Sequence, residues 1–224
     1  MQQAGWLSRT LCSSLGRKYI VALTGLAMVG FLVAHLSGNL LIFAGPEAMT
    51  IYAEGLRKFP VILNLLRAGL AVMAIAHVFF AIQLNLENKA ARPQAYQVKN
   101  YKAASWASRQ MVITGLLILF YILYHLAHFT WRITNEEIGA LGHYDVYQML
   151  VMSFGDPVQA ITYILAMVLT GVHLTHGVSS LFQTLGINHP KYNCCIRKLG
   201  PAVGILIAGG FISIPLAVML GIVK

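Results

Sequence analysis

The chain has 224 residues, 58% of them hydrophobic and only 10% charged, with a formal net charge of +9 at pH 7. Soluble domains carry about 25% charged residues, so the composition excludes a water-soluble globular protein and points to an integral membrane protein. Nucleic-acid binding is an unconvincing source of the positive charge on so apolar a background, and three cysteines (Cys12, Cys194, Cys195) are too few for a disulfide framework.

A bilayer core needs about 20 apolar residues per helix. Five stretches qualify, approximately 18–43, 61–86, 109–131, 157–183 and 200–222. The basic N-terminus lacks a small-residue cleavage site, so the first span reads as retained. Ala44-Gly45-Pro46, Phe59-Pro60, Asp156-Pro157 and Gly200-Pro201 punctuate the gaps. Proline suits the first turn of a helix, and Asp156 ahead of Pro157 is a good N-cap. Pro215 falls inside the fifth span, where a kink is expected. The connections near 87–108 and 132–156 have room for short surface helices. Adjacent Cys194 and Cys195 lack the second pair that a structural zinc site needs and read as reduced loop cysteines. No internal repeat is evident, and residues 1–224 read as a single integral membrane domain.

Eleven of the 16 basic residues collect on one side of this layout: Arg9, Arg17 and Lys18, then Lys89, Arg92, Lys99, Lys102 and Arg109, then Lys191, Arg197 and Lys198. Six of the seven acids, Glu47, Glu54, Glu136, Glu137, Asp145 and Asp156, fall on the other. The positive-inside rule makes the basic side cytoplasmic. The expectation is a multi-pass protein of a bacterial inner membrane, N-terminus cytoplasmic, its charge serving topology and contact with the lipid bilayer.

Four of these spans each carry a histidine at depth: His35, His77, His125 and His173. An ionisable group there faces the bundle interior and has a partner. From the cytoplasmic ends, His35 and His125 lie roughly 26 and 24 Å up their helices, and His77 and His173 roughly 14 and 16 Å. That makes two layers of two. Haem iron held by two axial histidines needs facing imidazoles at equal depth on different helices, and a helix bundle core can hold it. The spacing therefore predicts two haems, the outer on His35 and His125 and the inner on His77 and His173. His128 and His176 follow their neighbours by three residues, lie near the same faces, and are alternative ligands. His143 and His189 read as solvated loop residues. A zinc site would want three or four ligands per layer, and a proton relay would want membrane carboxylates; neither is present.

With those residues in place, the chain resembles the two-haem cytochrome b membrane subunit of succinate:quinone oxidoreductases, the succinate dehydrogenase and fumarate reductase family. The resemblance is carried by the five-span layout, Thr24-Gly25 ahead of His35-Leu36-Ser37-Gly38-Asn39, Arg109-Gln110 to Thr114-Gly115 ahead of His125, and His173-x-x-His176-Gly177-x-x-Ser180 followed by Leu185-Gly186-Ile187. It implies an all-α fold whose first four spans hold two haem b groups, with His35, His77, His125 and His173 as the axial ligands. It also implies a flavoprotein and an iron–sulfur subunit on the cytoplasmic side, and a quinone, menaquinone by expectation, that reacts in this subunit. The ten-residue step from Gly115 to His125 matches the family and favours His125 over His128.

The quinone site is read from the outer first-to-second connection, where Tyr52 and Glu54 lie. Glu54 is the candidate proton acceptor. Arg67 sits at roughly the outer-haem depth, where a haem propionate is a fitting partner and snorkelling to the headgroups the alternative. Arg17, Lys18 and Arg109 stand at the inner haem's end. Some fumarate reductases of the family carry a proton-conducting glutamate two residues before the fourth-span ligand; here the residue is Gly171. Outer-face quinone chemistry would then make turnover electrogenic. The competing readings are a cytochrome b subunit of a hydrogenase or formate dehydrogenase, a histidine-lined metal or proton transporter, and a haem-free anchor.

Overall fold

The computed structural model describes residues 13–91, 94, 101, 104–141, 145–187 and 189–224. Arg9, Cys12, Arg92, Lys99, Lys102 and His143 lie outside the described residues. Among the described residues eight α-helices run in order: α1 (Ser14–Asn39), α2 (Pro46–Arg57), α3 (Pro60–Ala90), α4 (Trp106–His125), α5 (Glu136–Ala140), α6 (Val146–Gly155), α7 (Pro157–Thr184) and α8 (Asn193–Met219). A 3₁₀ turn, Leu40–Ala44, continues α1, and a π-helical segment, Leu126–Thr130, continues α4. There is no strand among the described residues.

The five long helices are apolar enough to cross a membrane, as Ser14–Ala44, Pro60–Ala90, Trp106–Thr130, Pro157–Thr184 and Asn193–Met219. Their ends follow local chemistry. Ser13 accepts from Gly16 N–H, Ser105 from Ser108 N–H and Asp156 from Val158 N–H, each side chain satisfying a first-turn amide. Pro46, Pro60 and Pro157 occupy first turns. α7 and α8 stop at Gly186 (φ 78°) and Gly221 (φ 68°), where Ile187 N–H bonds Phe182 O and Ile222 N–H bonds Ala217 O. Both are left-handed Schellman ends.

Two sequence expectations change. Gly200-Pro201 does not open the fifth span: α8 begins at Asn193 and carries both Pro201 and Pro215 within it. The polar, cysteine-containing stretch before Gly200 is therefore helix rather than loop, and Cys194 and Cys195 are free and exposed on it. The first-to-second connection is helix α2, amphipathic and only 12 residues long.

α1 packs against α3 and α7, and α4 also packs against α3 and α7. So α1 stands across the bundle from α4, and α3 across from α7. α8 lies along α7, its most extensive partner. Small residues at four-residue steps let those two backbones meet, Gly171, Thr175 and Ser179 on α7 against Gly200, Gly204 and Ala208 on α8. A methyl built on Gly204 would lie 2.6 Å from Gly171 O. Close approach of this kind is how helices associate where lipid removes the hydrophobic driving force. We call the bundle end where α1 starts the near end and the other the far end. The far end is capped by a core of Ile42, Met49, Leu150, Phe154, Tyr163 and Ile214, drawn from α2, α6, α7 and α8 around the end of α1.

Candidate functional site

The four deep histidines point into the bundle as two pairs. At the far level His35 reaches across to His125, ring centroids 5.9 Å apart and planes at 82°. Phe31 stacks on His35 at 5.2 Å, Phe211 of α8 lies 5.7 Å from it, and Tyr121 and Phe129 flank His125. Asn39 Nδ2 donates to His35 O at 2.7 Å and lies 3.4 Å from His35 Nδ1. His125 Nδ1 is buried with no hydrogen-bond partner among the described residues.

At the near level His77 of α3 and His173 of α7 are each held by a side chain of another helix. His77 Nδ1 is 3.0 Å from Val21 O and 3.2 Å from Thr24 Oγ1. His173 Nδ1 is 3.0 Å from Thr114 Oγ1. Each ring also lies flush against a glycine. A methyl built on Gly25 would come 3.2 Å from His77 Cε1, and one built on Gly115 would come 3.3 Å from His173 Cε1.

These contacts expose a repeat. Thr24-Gly25 precedes His35 by the same number of residues that separates Thr114-Gly115 from His125. In both halves the threonine–glycine pair holds the histidine of the next long helix. The pairs α1/α3 and α4/α7 are thus two copies of one unit, related about the bundle axis. His35 and His125 are equivalent histidines of the two copies and meet across the bundle, and His77 and His173 are likewise equivalent, each held by the threonine–glycine pair of its own copy. Spacing alone carried the signal (Thr-Gly, nine residues, His), but the loops hide it, because Thr24 and His77 are 53 residues apart and Thr114 and His173 are 59.

The i,i+3 neighbours part company. His128 is 1% exposed, its Nδ1 is 2.9 Å from Tyr163 OH, and it stacks on Phe129 at 4.3 Å. The cause is the π-helical segment, in which Trp131 N–H bonds Leu126 O at 2.7 Å. An i→i−5 turn of about 4.4 residues widens the angle between residues three apart from about 60° toward about 115°. His125 stays toward α1 while His128 is turned onto α7. His176 stays on a regular helix, three residues nearer the near end than His173.

The remaining sequence candidates spread out. Tyr52 packs on Gly38, where a methyl would lie 2.6 Å from its ring, so α2 is clamped three residues beyond His35. Glu54 is exposed on α2 and Arg67 is exposed on α3. Arg17, placed at the inner haem's end by its sequence position, forms an ion pair with Glu87 that ties the start of α1 to the end of α3. Arg109 lies over the Tyr101 ring at 4.3 Å, and Lys18 is exposed. His189, read as solvated, is ordered: it stacks on Tyr192 at 5.2 Å, and its Nδ1 accepts from Lys191 N–H. Among the described residues no three or more His, Cys, Asp or Glu side chains come together as a metal site.

Residues 85–194 match the family model described as succinate dehydrogenase/fumarate reductase transmembrane subunit. No curated protein and no solved structure matches the chain to a significant degree. That match runs from the end of α3 to the start of α8, and over this stretch the chain is similar to the transmembrane subunit of succinate dehydrogenase and fumarate reductase.

Proposed function

We propose that the chain is the membrane-anchor cytochrome b of a succinate dehydrogenase or fumarate reductase complex. It passes electrons through two haem b groups between an iron–sulfur subunit and a quinone, menaquinone by chemical class. The near end is the cytoplasmic end, as the clustering of Lys and Arg there supports. The flavoprotein and iron–sulfur subunits dock on that end, and the dicarboxylate site belongs to the flavoprotein. The whole chain acts as one integral unit of a bacterial cytoplasmic membrane.

One observation carries the reading: His35 faces His125 across the bundle, with His77 and His173 at equivalent places of the same repeat. Two metal–nitrogen bonds of about 2 Å, with the ring radius added on each side, separate two axial imidazole centroids by about 6 Å. His35 and His125 stand at 5.9 Å. Two nitrogen donors per layer, with no third ligand, suit a metal whose other ligands come from a macrocycle. The orphaned Nδ1 of His125 and the glycine beds of His77 and His173 also fit bound imidazoles. His35 and His125 hold the far haem, and His77 and His173 the near one. Bound there, the haems supply one-electron redox chemistry.

Quinone chemistry belongs at the far end. Tyr52, clamped against Gly38, supplies a hydroxyl near the His35 level. Glu54 is the candidate proton acceptor. Two residues on, it is turned about 160° from Tyr52 around α2, toward the exposed side where a proton can leave. Arg67, with no partner among the described residues, stays a candidate for a far-haem propionate. The deciding experiment is a reduced-minus-oxidised visible spectrum of the purified chain with haem quantitation. Two b-type haems per chain are expected, and a chain without haem would remove the reading.

A further inference from the structure

Thr24 and Thr114 carry no role in the reading so far, yet each makes the same contact. A hydroxyl has one hydrogen to give. Thr24 Oγ1 gives it to Ile20 O at 2.6 Å, and Thr114 Oγ1 gives it to Gln110 O at 3.0 Å. Each oxygen then has only lone pairs for the imidazole beside it. With the hydroxyl hydrogen so placed, Nδ1–H of His77 or His173 donates and the threonine oxygen accepts. Val21 O, which accepts only, imposes the same direction on His77. Nδ1 must carry the proton, so Nε2 is the bare nitrogen. The glycine against Cε1 sets the ring's position, and the threonine sets its tautomer. The far pair has no such device among the described residues: His125 Nδ1 has no partner there, and the polar neighbour of His35 Nδ1 is an amide nitrogen 3.4 Å away.

We propose that Thr24 and Thr114 are positioning residues of the near haem, holding His77 and His173 as Nδ1–H donors with Nε2 turned to the iron, and that they bias this haem alone toward the ferric state. The proposal rests on the haem reading above. An Nδ1–H that donates to oxygen makes its imidazole a more basic ligand, and a more basic ligand favours the higher charge on iron. The two threonines are unequal. His77 keeps Val21 O when Thr24 loses its oxygen, whereas Thr114 Oγ1 is the one hydrogen-bond partner of His173 Nδ1 among the described residues.

The test replaces each hydroxyl by a methyl in the assembled complex and follows both haems by optical redox titration and by the low-spin ferric resonance. In Thr114→Val the ferric-to-ferrous ratio of the near haem at fixed potential should fall about tenfold, the lower end of the 10–100-fold effects of such outer partners on metal sites. Tenfold is 59 mV for one electron. Thr24→Val should shift it less. Thr114→Ser should restore the wild-type value, and the far haem should not move in any variant. Two haems per chain with an unmoved near potential in Thr114→Val would overturn the proposal and leave the haem reading standing. So would equal shifts of both haems, or a serine variant behaving like valine. A wild-type chain without haem would remove both.

Discussion

Gly25 and Gly115 offer a sharp test of how the near pair is seated. Substitution by alanine adds one methyl group 3.2 Å from His77 Cε1 or 3.3 Å from His173 Cε1. Carbon atoms rest at about 3.5–4.0 Å, so each ring must retreat by about 0.3–0.5 Å. Neither can retreat freely, because its Nδ1 is tied at 3.0–3.2 Å to a threonine on the same helix turn as the glycine. Overpacking of this kind costs about 1–3 kcal/mol, and the small displacement places these sites near the lower figure. The control is built into the same helices. A methyl on Gly30 of α1 or Gly69 of α3 meets nothing within 4 Å. There alanine should instead stabilise, by about 0.5–1 kcal/mol of helix propensity. Thermal unfolding in detergent and near-haem occupancy are read together. Gly25→Ala and Gly115→Ala should lower both, while Gly30→Ala and Gly69→Ala raise the melting temperature and keep both haems. If Gly25→Ala matched Gly30→Ala in both readouts, the seating argument would be wrong.

His125→Ala should lose the far haem and keep the near one, and His35→Ala should do the same, as haem quantitation with redox titration will show. His128→Ala should keep both haems yet cost about 2–4 kcal/mol in thermal stability, since it opens a cavity and strands the Tyr163 hydroxyl; loss of a haem in that variant would reassign the ligand. Arg17→Ala should cost no more than about 1 kcal/mol, because Glu87, its partner, is 40% exposed and the pair is screened by water. A melting curve in low and high salt would show this, and a large salt-independent loss would contradict it.

The spans were legible because hydropathy reports the solvent that each helix meets, and the boundaries moved only where polar turns extend a helix past the lipid. Ser14 to Arg17 are helical from the Ser13 cap, and Asn193 to Leu199 extend α8 without a side-chain cap; a hydropathy window weighs neither. α2 was not legible, because 12 amphipathic residues between glycine and lysine resemble a polar connection until Tyr52 is seen against Gly38. The four histidines stand out by cost alone, and helix rise proposes their pairs, of which His35 and His125 are in contact. The step from Gly115 favours His125 over His128, but the turning of His128 onto α7 was not legible, since it comes from a π-helical segment that no residue in Leu126–Thr130 announces. Thr24 and Thr114 stand in the motifs of the resemblance, yet their contacts were hidden for a related reason. A helical threonine ordinarily bonds its own backbone, as Thr24 and Thr114 do, and nothing in the sequence shows that the free lone pair meets an imidazole from another helix.

Gly171 joins the packing of α8 to the fate of protons. The residue two before His173 lies about 160° from it around α7, so it faces α8 while His173 faces the bundle axis. A methyl there would come 3.0 Å from Ala208 Cβ and 3.3 Å from Gly204 O. The place where some fumarate reductases carry a proton-conducting glutamate is filled in this chain by a second helix, so the missing carboxylate reflects how α7 and α8 meet. Restoring it should therefore fail to restore a route. Gly171→Glu must push α8 away or bury an unpaired carboxyl, and either costs about 3 kcal/mol or more. The expected result is a large fall in melting temperature with release of α8 from α7. In proteoliposomes the proton yield per electron of whatever complex survives should be unchanged. A Gly171→Glu complex that melted like wild type and moved extra protons would show that α8 yields at this crossing, and that close packing is not what keeps the carboxylate out.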